Sequence, residues 1–232
     1  MDLHYGICYY YGKNKVENII NHFKVFQNIQ QPNKFFWVVF TIDSNDAKER
    51  EKICQKELGR LKNNEVHYLH DFNWGGTVAA MHHLFQHLHK TQPDSYLAFF
   101  EEDFSAKNKD WFNDCKKYLP GNYYIGEGTI QNIENPDLCQ VKVCDTRYMV
   151  GYKFIKSFIN EVWTDGGFYF SSLSNFKKIY DKIGIFHKGD QKTKYHHGND
   201  GIDLGEVGFP SAVFNHGMKF SGLFRHKYFV HK

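Results

Sequence analysis

The order of strand-like and helix-like segments along the first half of the chain constrains the fold more than any other feature. Short runs of aromatic and β-branched residues alternate with longer segments whose apolar residues recur at helical spacing. The run KFFWVVFTI is typical of a strand that is buried on both faces. This βαβαβαβ order with short connections predicts an α/β fold, with a mostly parallel central sheet and helices on both faces.

The boundaries of the elements follow from these runs and from the polar residues that separate them. In the first half we predict strands over Leu3–Tyr11, Lys34–Ile42, Glu65–Leu69 and Ser95–Phe104, and helices over Lys15–Gln30, Ala47–Lys62, Thr77–Lys90 and Asp110–Tyr118. The second half is less regular. There we predict strands at Tyr123–Ile125, Gln140–Val143 and Ser211–Phe214, helices over Tyr152–Val162, Leu173–Ile183 and Asn199–Gly208, and a turn at Asp165–Phe168.

Composition narrows the class of protein. The 232 residues suit one domain, and a net charge of +3 from scattered basic residues does not favour nucleic-acid binding. The five cysteines are irregularly spaced without a CxxC pair, which favours a reducing compartment. No signal peptide is evident, and no apolar run reaches the roughly 18 residues expected of a membrane span. We therefore expect a soluble cytoplasmic protein.

Three consecutive acids end the fourth predicted strand, in the run SYLAFFEEDF. Glu101, Glu102 and Asp103 follow directly on a buried apolar segment, where like charges repel and are costly to desolvate. Ligands of parallel sheets bind outside the carboxyl ends of the strands, which is where these acids fall. A divalent cation would relieve the repulsion, and hard oxygen ligands favour Mg²⁺ or Mn²⁺ over Zn²⁺.

Alternation along an extended chain predicts that Glu101 and Asp103 point to the same side and Glu102 to the other. The alternative interpretation is a solvated acidic loop after the strand. Asp43 ends the second predicted strand and shares the carboxyl edge, although it is equally suited to cap the following helix.

Four segments, in order, resemble those of GT-A glycosyltransferases of the GT2 kind. NWGGTVAAMHHL resembles the segment that precedes the DxD strand, and FFEEDF stands at the DxD position, with glutamate in place of the first aspartate. DGGFYFSSLSNFKKIYDKIGIF resembles the segment that shapes the sugar and acceptor pocket, without its usual arginine. HHGNDGIDLGEVGFPSAVF resembles the segment that carries the catalytic base. The resemblance implies a single GT-A catalytic domain, with a nucleotide-sugar-binding half at 1–104 and an acceptor-binding half at 105–232.

The resemblance also implies roles for the acids. Asp103 would coordinate a Mn²⁺ or Mg²⁺ ion that bridges the donor diphosphate, with Glu101 assisting and Glu102 assisting or contacting the ribose. Asp43 would hold the base or ribose. Asp200 would act as the general base of an inverting mechanism, although an acid at a helix N-terminus is an equal alternative. Asp203 and Glu206 are the fallback candidates for the base.

Two further groups complete the predicted site. Asp165 beside Gly166 and Gly167 would contact a sugar hydroxyl, because glycine lets a ligand approach the backbone N–H groups, and a plain turn is the alternative. Some GT-A enzymes add a histidine near the C-terminus to the metal site, and His216 and His226 are the candidates here, with spacing favouring His226.

The predicted function is metal-dependent transfer of a sugar from a nucleoside-diphosphate sugar, a UDP-sugar being favoured, to a hydroxyl of a glycan or glycoconjugate. A nucleotidyltransferase that makes nucleotide sugars is the enzyme alternative, although YYYGKNK is only a faint version of its phosphate loop. A protein that binds nucleotide sugars or carbohydrate without turnover is the non-enzyme alternative.

Overall fold

A seven-stranded sheet built from the predicted β-formers organises the protein. The computed structural model describes residues 1–9, 16–40, 44–59, 66–70, 76–107, 110–140, 142–150, 153–163, 165–186 and 209–231. The strands are β1 Leu3–Tyr9, β2 Lys34–Phe40, β3 Val66–His70, β4 Tyr96–Glu101, β5 Phe104–Ala106, β6 Ile125–Gly128, β7 Lys142–Val150, β8 Lys153–Trp163, β9 Asp165–Ser172, β10 Ser221–Phe224 and β11 Phe229–His231. The helices are α1 Val16–Gln27, α2 Ser44–Gly59, α3 Gly76–Leu88, α4 Asp110–Tyr118, α5 Leu173–Ile183, α6 Phe209–Asn215 and α7 Arg225–Tyr228.

The strand order of the large sheet is β10-β6-β9-β4-β1-β2-β3. Strand β9 is antiparallel to both of its neighbours, and the other neighbouring pairs are parallel. Two antiparallel pairs stand outside it, β5 with β11 and β7 with β8. The carboxyl ends of β1, β4, β6 and β10 and the amino end of β9 therefore lie along one edge of the sheet, which we call the carboxyl edge.

Two apolar cores cover the two faces of the sheet, as alternation along the strands requires. On β4, Ala98 and Phe100 belong to the first core, whereas Leu97 and Phe99 belong to the second. Buried side chains of α1, α2 and α4 complete the first core, and those of α3, α5 and α6 complete the second. The mostly parallel sheet with helices on both faces is thus confirmed. No helix in the described ranges is long and apolar enough to cross a membrane.

The predictions for the second half of the chain are wrong in three places. The segment predicted as a helix over Tyr152–Val162 is strand β8, because its backbone pairs with β7 and its aromatic and β-branched residues favour a strand. The predicted Asp165–Phe168 turn is the start of β9, which bonds to strands on both sides. The predicted strand at Ser211–Phe214 lies in α6. This helix is too short for hydrophobic periodicity to identify, and Pro210 is tolerated because it lies in the first turn.

His4 on β1 makes stability depend on pH. Its Nδ1 accepts from Trp37 Nε1 at 3.0 Å, and its Nε2 lies 2.6 Å from Gln92 Oε1, so both nitrogens are satisfied in the neutral ring. Burial lowers the pKa of His4 from 6.5 to about 4, against smaller raising effects of Gln92 and Asp2. Because the folded protein disfavours the charged ring, this stabilisation is complete above pH 6.5 and is lost as the pH falls towards 4.

We expect the free energy of unfolding to fall by about 3 kcal/mol between pH 7 and pH 4 through His4 alone. Urea denaturation at both pH values measures this fall. His4→Gln keeps an acceptor and a donor without titrating, so it should remove that part of the pH dependence. His226→Gln, at an exposed position on α7, is the control for replacing a histidine with glutamine. Equal slopes in the wild type and His4→Gln would contradict the assignment.

Candidate active site

The three acids form the connection between β4 and β5 at the carboxyl edge of the sheet. Glu101 is the last residue of β4, and Phe104 is the first residue of β5. Glu102 and Asp103 form the turn between them. All three acids are half-buried. Strand β1 runs beside β4 in parallel register, with Cys8 opposite Glu101. The sequence therefore located this acidic turn correctly on the sheet.

Glu101 is held towards helix α3. Its Oε1 accepts a hydrogen bond of 2.6 Å from the hydroxyl of Thr77, in the first turn of that helix. A carboxylate at a helix N-terminus is favoured by the helix dipole. This contact anchors the end of β4 to the segment that follows β3.

Asp103 is held towards the last strand instead. His231 Nε2 lies 3.5 Å from Asp103 Oδ2, and the two side chains are 53% and 37% exposed. Antiparallel pairing of β11 with β5 sets His231 opposite Phe104. Phe229, on the same strand, is buried with its ring 5.0 Å from that of Phe104. Strand β11 therefore places the His231 imidazole beside the acidic turn.

His231 was not among the predicted site residues, and the two predicted histidines lie elsewhere. His226 lies on α7, at the carboxyl edge, with its side chain exposed and its backbone carbonyl accepting from Lys107 Nζ. His216 follows α6 and precedes β10, so it lies towards the opposite edge of the sheet. The signal for His231 was the short apolar run YFVH, whose strand pairing with β5 depends on residues far away in the chain.

A buried ion pair lies further along the same edge. Glu127 at the end of β6 is fully buried and accepts from Arg225 Nε at 2.8 Å and from Arg225 Nη2 at 2.9 Å. The guanidinium carbon lies 5.3 Å from the centre of the Phe104 ring. Sequence reasoning did not find this pair, because β6 and α7 carry no pattern that links them.

Gly167 has a packing role that differs from the predicted ligand contact. A Cβ atom there would lie 2.5 Å from the Phe104 ring, so only glycine lets that ring sit against β9. The Gly167 N–H points to Glu127 Oε1 at 3.4 Å. Asp165 and Gly166 open β9, and the register sets Asp165 opposite Glu127, at the carboxyl edge. Asp43, Asp200, Asp203 and Glu206 lie outside the described residues.

The donor set at the acidic turn suits an open metal site. Within the described ranges, no group of three or more His, Cys, Asp or Glu side chains is placed to hold a metal ion. Mg²⁺ usually keeps several waters and is held by one or two carboxylates together with substrate phosphates. Asp103 and His231 are both partly exposed, and the Asp103 carboxylate is a ligand type that suits Mg²⁺ or Mn²⁺. His231 places a nitrogen donor beside it.

No family model and no curated protein matches the sequence. Solved structures do match the fold. The 4-diphosphocytidyl-2C-methyl-D-erythritol synthase of Anaerococcus prevotii is 11% identical with a TM-score of 0.54, covering 96% of this chain and 86% of that one. Residues 1–349 of S. aureus TarS are 14% identical with a TM-score of 0.54, covering 99% of this chain and 60% of that one.

A third structure is the mannosyltransferase PcManGT of Pyrobaculum calidifontis in complex with GDP-Man and Mn²⁺. It is 11% identical with a TM-score of 0.49, over 79% of this chain and 47% of that one, and a similarity of that size supports no inference about this chain. The first two similarities, at such low identity, show the fold alone. Together with the strand order, they show that this chain has the GT-A type of α/β fold.

Proposed function

We propose that the protein is a metal-dependent glycosyltransferase that transfers a sugar from a nucleoside-diphosphate sugar to an acceptor hydroxyl. The donor is a UDP-sugar and the acceptor is a glycan or glycoconjugate. The observation that carries this proposal is the 3.5 Å contact of Asp103 with His231, in the turn after β4 of a GT-A-type sheet. This contact pairs a carboxylate with an imidazole where parallel sheets bind their ligands.

Asp103 and His231 would hold Mn²⁺ or Mg²⁺, with Glu102 beside them on the ribose. Such an ion would supply a Lewis acid that neutralises the charge of the departing nucleoside diphosphate. Glu101 would keep the turn against α3 through Thr77. The fit is to an open site that the donor diphosphate completes.

The remaining roles are proposed from the resemblance. Asp200 takes the proton of the acceptor hydroxyl. The hydroxyl oxygen is then the nucleophile that displaces the nucleoside diphosphate with inversion. Asp43 binds the base or ribose, and Asp165 with Gly166 contacts the transferred sugar. Among the histidines, His231 replaces His216 and His226 as the proposed ligand because of its contact with Asp103.

His231→Gln and His226→Gln should separate the two histidines that follow β10. We expect His231→Gln to weaken Mn²⁺ binding about 10-fold or more, because it removes a proposed ligand, and His226→Gln to leave the binding unchanged. Electron paramagnetic resonance of free Mn²⁺ during titration measures both. The reverse order of effects would return the assignment to His226.

A thermal-shift panel of UDP-, GDP- and CMP-sugars, each with and without Mn²⁺, tests the proposed function. One class of donor should raise Tm by about 5–10 °C at roughly 100 times its Kd, and only with the ion present. The donor that binds is then incubated with acceptors. Release of nucleoside diphosphate supports sugar transfer, and the absence of a shift with any sugar nucleotide contradicts the proposal.

Two further measurements distinguish the proposed transfer from its alternatives. Release of pyrophosphate from a nucleoside triphosphate and a sugar phosphate would identify a nucleotidyltransferase. That activity is also compatible with the fold that this chain shares with the synthase. Binding of a nucleotide sugar in Mn²⁺ without any slow hydrolysis would identify a binding protein. Either outcome overturns the proposed transfer.

A further inference from the structure

His22 lies buried beneath the acidic turn. It projects from the middle of α1 and is 0% exposed, as is Tyr5 on β1. Its Nδ1 lies 2.8 Å from the Tyr5 hydroxyl. Its Nε2 lies 3.1 Å from the backbone carbonyl oxygen of Glu101 and 3.2 Å from that of Glu102. One imidazole therefore connects β1 to two consecutive peptide groups of the turn.

The contacts determine the tautomer of the ring. Nε2 faces two carbonyl oxygens, which only accept, so Nε2 must carry a proton. In the neutral ring Nδ1 then accepts from the Tyr5 hydroxyl. Burial raises the pKa of Tyr5 well above 10, so this hydroxyl keeps its proton at any working pH. The chain of hydrogen bonds runs in one direction, from Tyr5 through His22 to the carbonyls of Glu101 and Glu102.

These carbonyls control the orientation of Asp103. The carbonyl of Glu102 and the amide nitrogen of Asp103 belong to the same planar peptide group. Holding that oxygen fixes the plane of the peptide, and with it the direction in which the chain enters Asp103. The ring that holds it is rigid, because His22 sits in a helix and is enclosed by aromatic neighbours, with its centre 5.9 Å from that of Tyr5 and 5.5 Å from that of Phe100.

We propose that His22, oriented by Tyr5, is a positioning residue that sets the direction of the Asp103 carboxylate towards a divalent cation. The inference rests on the proposed function, in which Asp103 is a metal ligand. His22 contacts backbone and not the ion, so it acts through the turn. Groups that orient metal ligands in this way typically contribute 10–100-fold to metal affinity.

Titration with Mn²⁺ alone, followed by electron paramagnetic resonance, tests the proposal. His22→Phe keeps an aromatic ring and removes the three hydrogen bonds of the imidazole, and it should weaken Mn²⁺ binding about 10–100-fold. His22→Gln retains an N–H donor at nearly the position of Nε2 and should recover most of that affinity. Tyr5→Phe should give an intermediate loss, because His22 keeps its place but loses the donor to Nδ1. Phe23→Leu is the matched control, since it removes core volume from α1 at a ring that packs against Phe26 and Phe36, and it should leave affinity unchanged.

Two metal-free measurements keep this proposal separate from the proposed function. Nitrogen-15 NMR should show His22 as the Nε2–H tautomer, and His22→Phe should raise the rate of amide hydrogen exchange in residues 102–104. Wild-type protein that binds no Mn²⁺ would overturn the metal-dependent function. Wild-type binding that His22→Phe retains in full, an Nδ1–H tautomer, or unchanged exchange in the turn would each overturn the positioning role.

Discussion

Replacing Asp103 with Asn is expected to abolish metal-dependent transfer while leaving the fold intact. The amide is nearly isosteric but carries no charge, so the proposed cation loses its carboxylate ligand. Because residues that only orient metal ligands already contribute 10–100-fold, the loss should be at least about 100-fold in kcat/KM. The measurements are the rate of nucleoside-diphosphate release with acceptor and the affinity for Mn²⁺. Little stability should be lost, since the Asp103 side chain is 37% exposed.

Asp181→Asn is the matched control for this variant. Asp181 pairs with Lys177 on the surface of α5, and its side chain is 53% exposed. The same charge change there should leave both transfer and Mn²⁺ binding unchanged. Full transfer activity in Asp103→Asn would contradict the assignment of the acidic turn as the metal site, whichever donor the protein uses.

Replacing Arg225 with Met is expected to destabilise the protein by about 3–5 kcal/mol, because the fully buried Glu127 carboxylate loses its bidentate partner. Urea denaturation at pH 7 measures the loss. Adding Glu127→Gln in the double variant should recover part of it, because the buried charge is then removed as well.

Lys227→Met is the control for the ion pair. Lys227 contacts Asp137 in a surface pair whose side chains are 48% and 29% exposed, and such pairs contribute at most about 1 kcal/mol. A loss in Arg225→Met no larger than that in Lys227→Met would contradict a structural role for the buried pair. A large loss of stability in Arg225→Met would show that the buried pair stabilises the carboxyl edge beside Phe104. The Arg225 guanidinium lies over the Phe104 ring.

Local patterns were sufficient for the first half of the fold. The KFFWVVF run of β2 is β-forming and buried, and the helical spacing in α1 provides one apolar face, so both could be identified from neighbours in sequence. The prediction for α5 coincides with the helix itself, because Ser172 caps its first turn and Gly184 follows its last residue. At β8 the predicted helix was wrong, because antiparallel pairing with the preceding strand β7 decided the outcome.

The sequence by itself determined the α/β class and the position of Glu101, Glu102 and Asp103 at the end of a parallel strand. Only the tertiary structure decided what surrounds these acids. The pairing of β11 with β5 brings His231 to Asp103, and the packing of α1 against β1 brings His22 beneath the turn. The physical reason is that the periodicity of apolar residues depends on the local conformation of a segment. Contacts between residues far apart in the chain depend instead on strand pairing and on the burial of shared surfaces.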